Sequence, residues 1–100
     1  MIKILLVAVF FLLAACSRDY TPASSATGES IFKEACAECH QPKDPAVPQV
    51  VFSLNEKNAN ERYITHKVQG GSLMMPKFPN ITGSKMRSLS TYVLNHSVTK

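Results

Sequence analysis

The chain lacks three things that would each send its reading elsewhere. It has no apolar run long enough to cross a bilayer: the longest, Ile4 to Leu13, is ten residues, and a spanning helix needs about 20. It has no even set of cysteines. Three thiols cannot close into the paired framework of a small disulfide-built domain. It also has no basic cluster interleaved with aromatics, so a formal charge of +4 does not point to nucleic acid. With 100 residues there is room for one domain.

What stands at the N-terminus is a leader pattern. Lys3 precedes an apolar stretch without a polar stripe, and Leu13-Ala14-Ala15-Cys16 ends it. A short basic start, an apolar segment and small residues form a signal peptide, here expected over residues 1–15. The last four residues resemble a bacterial lipobox, which implies cleavage before Cys16, lipidation of its sulfur and anchoring by several acyl chains. An ordinary small-residue cleavage site that releases a soluble protein is the alternative. Residues 17–27 are small and polar with no hydrophobic period, and with Cys16 they read as a flexible tether over 16–27, spanning about 18 Å. The folded domain is then expected over 28–100. Ser17, directly after the lipobox cysteine, resembles the signal for outer-membrane sorting, so the expected location is a membrane facing the periplasm, outer more than inner.

The remaining two thiols carry the chemistry. Cys36-Ala37-Glu38-Cys39-His40 has the spacing for covalent attachment of a c-type haem: helical positions i and i+3 share a face, and His40 follows as proximal iron ligand. The same Cys-x-x-Cys also serves redox dithiols and zinc sites. A dithiol wants a βαβ setting, which the pattern here does not offer, and zinc would need His66 or His96 as a further ligand. The haem reading also closes the thiol count, with Cys16 on lipid and Cys36 and Cys39 on haem. The charge left after loss of residues 1–15 is a formal +3, because only Lys3 goes, and two ionised propionates would bring it near neutral.

Thr27 is placed to cap a first helix, with Glu29 in its first turn and Ile31, Phe32, Ala35, Cys36 and Cys39 on one stripe. Pro42, Pro45 and Pro48 then make a stiff loop, and the Pro48 carbonyl is a candidate to orient the His40 ring. Residues 49–54 are apolar with an ambiguous period and are expected to line the haem pocket. Asn60 to Gln69 reads as a helix with Ile64 and Val68 inward, stopped at Gly70-Gly71. Pro76 forces the preceding methionine out of helical geometry. It thereby pins a loop that can aim a thioether, a soft ligand suited to iron that cycles between oxidation states. Met74 and Met75 both stand there. A last helix follows, with Ile81 and Met86 stapling an N-cap at Thr82, Leu89 and Val93 inward and Tyr92 beside them.

Gly28-x-x-x-Phe32, Cys36-x-x-Cys39-His40, Gly70, Met75-Pro76-x-Phe78 and Leu89-x-x-Tyr92 together resemble the small class I (mono-haem) cytochromes c, over residues 28–100. The resemblance implies an all-α fold whose N- and C-terminal helices pack across each other, Gly28 and Phe32 meeting Tyr92, around one covalent haem. It implies thioethers at Cys36 and Cys39, His40 as proximal ligand and Met75 as distal ligand, since the family sets its methionine directly before proline; Met74 is the alternative. The chain departs from the family in having Gln41-Pro42-Lys43 where glycines often follow the haem histidine, and in having no tryptophan to contact a propionate. The implied role is electron transfer with redox partner proteins and no catalysis, with Lys77 steering an acidic partner. A gas sensor or peroxidase-like protein with a labile distal ligand, or a cytochrome subunit of a larger oxidoreductase, are the alternatives.

Overall fold

The computed structural model describes residues 18–100; the expected signal peptide and Cys16 lie outside them. Three helices and two short strands follow one another: α1 (Gly28–Ala35), β1 (Phe52–Leu54), α2 (Glu61–Gly70), α3 (Gly83–Asn95) and β2 (Ser97–Thr99). Each helix start has a local cause. Thr27 and Ser30 form a reciprocal cap on α1, with Ser30 N–H donating to Thr27 Oγ1 at 3.1 Å and Thr27 N–H donating to Ser30 Oγ at 2.9 Å. Asn60 Oδ1 accepts from Tyr63 N–H at 2.8 Å at the start of α2. Thr82 caps α3 with its backbone alone, while Ile81 and Met86 are both buried there, as a hydrophobic staple requires.

The core is one cluster drawn from all three helices, including Ile31 and Phe32 of α1, Ile64 and Val68 of α2, and Leu89 and Val93 of α3. Its tightest contact lies between α1 and α3. A Cβ at Gly28 would collide with the Ser88 carbonyl and stand 3.1 Å from Tyr92 Cβ, so only glycine lets the helices come this close. One turn on, the Phe32 and Tyr92 rings meet with centroids 5.1 Å apart.

Two expectations are corrected. The fold is not purely helical: β1 and β2 pair in parallel, Phe52 opposite Ser97 and Leu54 opposite Thr99. The His96 carbonyl accepts from Val51 and Phe52 N–H at 2.8 and 3.1 Å, and Lys100 N–H donates to the Leu54 carbonyl at 2.9 Å. The short apolar run had no readable period because its partner lies over forty residues away. Nor is the described part of the tether loose. Arg18 N–H donates to the Lys77 carbonyl at 2.8 Å, and Tyr20 Oη donates to Glu34 at 2.7 Å. Further along, Lys85 Nζ donates to the carbonyls of Ser24 and Ala26 at 2.7 and 2.9 Å. Residues 18–27 are a strap laid on the domain. The half-buried Tyr20 ring packs on the core and supplies the apolar hold that the small polar residues around it lack.

Candidate functional site

The helix expected to carry both thiols stops before them. Cys36 is the C-cap of α1, and the Phe32 carbonyl accepts from both Cys36 and Ala37 N–H at 2.9 Å, which tightens the chain into turns. The Cys36 carbonyl then accepts from Cys39 N–H at 3.2 Å and from His40 N–H at 2.9 Å. These turns hold the five residues in a compact knot with the thiols unlike in setting: both are free, Cys36 buried and Cys39 exposed. Burial, and next the neighbouring Cys39, push the Cys36 thiol up to about 11. A redox dithiol needs a stabilised thiolate, and this environment disfavours one.

A cavity of about 180 Å³ lies between α2, α3 and β1, and Cys36, His40 and Met75 all line it. Phe52 and Leu54 form one wall, and Ile64, Val68, Leu89 and Val93 form the helical walls. The His40 ring is half-buried against Phe52, centroids 5.0 Å apart, and burial lowers its pKa. That favours the neutral imidazole a metal ligand must be. Pro48, the sequence's candidate for orienting this ring, is exposed. A larger groove of about 260 Å³ lies on the far side of β1 between Lys43 and Lys100. It takes Val50 and Val51, leaving only Phe52 and Leu54 of the 49–54 run for the smaller cavity, and it holds no thiol, imidazole or thioether.

The two methionines part company. Ser72 N–H donates to the Met75 carbonyl at 2.9 Å and Met75 N–H donates to Ser72 Oγ at 3.3 Å. Met74 stands at the corner of this turn, 91% exposed, while Met75 turns into the cavity. Gly71 permits the turn with φ +65, and a Cβ there would meet the Met75 carbonyl at 2.7 Å. His66 is exposed. His96 stacks on Tyr92 at 4.0 Å, with Nδ1 2.8 Å from the Tyr92 carbonyl. Among the described residues no three His, Cys, Asp or Glu side chains converge to hold a metal ion, so zinc finds no ligand set. Tyr63 and Lys67 also line the cavity. Sequence reasoning missed them, although they sit one position before Ile64 and Val68 on the same helix.

The family model described as "Cytochrome C oxidase, cbb3-type, subunit III" matches residues 23–93. The chain belongs to the class I cytochromes c. Cytochrome c6 of Cyanidioschyzon merolae is a relative, 31% identical over 84 residues that cover 79% of this chain and 81% of that protein. No solved structure matches significantly. As a cytochrome c, the protein is an electron-transfer haem protein with a covalently bound c-type haem and redox partners. The donor set agrees with that cofactor: a thiol, a neutral imidazole and a thioether share one apolar cavity, with the second thiol one turn away at the surface.

Proposed function

We propose that this cytochrome c is a membrane-tethered electron carrier rather than an enzyme, facing the periplasm from an acyl anchor at Cys16. Cys36 and Cys39 would hold the haem through two thioether links, and His40 and Met75 would ligate its iron. The observation that carries the reading is the common cavity of Cys36, His40 and Met75, with Met74 turned out to solvent. Bound there, the haem supplies a one-electron iron couple whose potential is raised by a methionine ligand. The chain's own part is to keep that couple dry and closed. With His40 and Met75 both bound, the iron would have no position left for substrate, and the apolar helical and strand walls would disfavour water. Lys67 is the charged side chain among the lining residues and is suited to balance an ionised propionate where the chain has no tryptophan to offer. Lys77, exposed beside the ligand loop, adds positive charge there and favours an anionic surface.

The test is spectroscopic. The oxidised wild-type protein is expected to show the far-red methionine-to-iron band. Met75→Ala is expected to lose it and to bind carbon monoxide when reduced, while Met74→Ala keeps the band and stays closed. Carbon monoxide binding by the wild-type protein would favour a sensor or peroxidase-like role instead.

A further inference from the structure

The strap enters the domain at one place. Arg18 N–H donates to the Lys77 carbonyl at 2.8 Å, and next to it Asn80 Nδ2 donates to the Asp19 carbonyl at 3.3 Å. Residue 16 lies two residues before Arg18, and covalent geometry allows no more than about 7 Å between their Cα atoms. An anchor at Cys16 therefore stays beside the loop of residues 71–80. The β1–β2 pair lies at the other end of α3, about 18 Å from Lys85 by helical rise.

That loop carries what a lipid surface takes up. Its turn presents Leu73 and Met74 in succession, 99% and 91% exposed, with no packing partner in the domain. Arg18 and Lys77 meet at the loop itself, with Asp19 beside them to offset one charge. We propose that the anchored domain rests on the bilayer through this face, with the Leu73–Met74 tip seated among the headgroups and Arg18 and Lys77 against anionic lipid. The inference rests on the acyl anchor at Cys16 proposed above. A short link to an acylated residue keeps lipid next to this face at all times, so the bilayer reaches the tip before a partner protein can. Apolar burial and basic charge then act together, the charge over about 8 Å at physiological salt. A domain on a loose tether would tumble. This one is held with one side down.

The experiment uses the full-length holoprotein in vesicles of phosphatidylethanolamine and phosphatidylglycerol doped with a diazirine lipid reactive at headgroup depth. Irradiation is followed by mass mapping of adducts. Adducts are expected on residues 71–79 in at least about threefold excess over residues 52–54 and 97–100, and Leu73→Ser is expected to abolish that excess without changing the haem spectrum. Adducts spread evenly over the domain, concentrated on the strand pair or unchanged by Leu73→Ser overturn the proposal, as does a tip that is shielded only when a redox partner is added. Intact mass reports acylation separately. If Cys16 carries no acyl chains, the anchor reading fails, and a maleimide lipid coupled to Cys16 still reads which face the geometry turns to the bilayer.

Discussion

At the scale of single residues, Gly28 and the two methionines show how little of a site resides in residue type alone. Gly28 is needed because the Ser88 carbonyl occupies the space a Cβ would take. Gly28→Ala must push α1 off α3, and overpacking of that kind typically costs about 1–3 kcal/mol. The thermal midpoint of the holoprotein is expected to fall by about 4 °C or more; an unchanged midpoint in a melt followed by dichroism would contradict the close contact. Met74 and Met75 are chemically identical neighbours. They differ in that the turn closed on Ser72 directs one to water and the other to the cavity.

At the scale of elements, the strap is held by a phenol. Tyr20 is raised to about 12, first by burial and then by its hydrogen bond and charge interaction with Glu34, with Cys36 a smaller contribution. The neutral phenol is the form that donates to Glu34. Its contribution to holding the strap is therefore complete below pH 10 and lost as pH rises through about 12. An absorbance titration is expected to show a late phenolate step near that value, missing in Tyr20→Phe, and the variant is expected to be cut faster by protease within residues 18–27 at neutral pH. Among the elements, those signalled by local chemistry were legible in the sequence. Thr27, Asn60 and the Ile81–Met86 staple each act within a few residues, and the inward positions Ile31, Phe32, Ile64, Val68, Leu89 and Val93 are buried where their periods put them, whereas Cys39, at the end of the first stripe, is exposed. What was not legible depends on distant partners. The end of α1 at Ala35 has no glycine or proline to announce it and follows from the shared Phe32 carbonyl. The strand pairing and the strap are decided by His96, Lys77 and Lys85, which lie far along the chain.

At the scale of the whole molecule, the cavity shares its walls with the core. Its lining residues Ile64, Val68, Leu89 and Val93 are also members of the hydrophobic cluster. About 73 residues, those of 28–100, build this domain, close to the size at which an apolar core alone becomes marginal. A core this small would lean on the apolar face of a bound haem, and the apo-protein, prepared as Cys36→Ala/Cys39→Ala, is expected to be largely unfolded. Native-like near-ultraviolet dichroism in that preparation would count against it. Cys36, Cys39 and His40 stand out in the sequence because spacing ties them to each other, and Met75 because Pro76 follows it. Tyr63 and Lys67 do not, since they join Leu54 in the lining only after α2, α3 and the strand pair have assembled.

The order of that assembly follows from the small ladder between β1 and β2. Phe52 and Leu54, one wall of the cavity, are held by backbone groups of residues 96–100. That wall stands forty-five residues before the strand that fixes it, and closing so long a loop is slow compared with coiling a helix. Until that loop closes, residues 36–40 stay accessible. The last segment to arrive acts as a latch, and it leaves the thiols open to modification until the rest of the domain is in place.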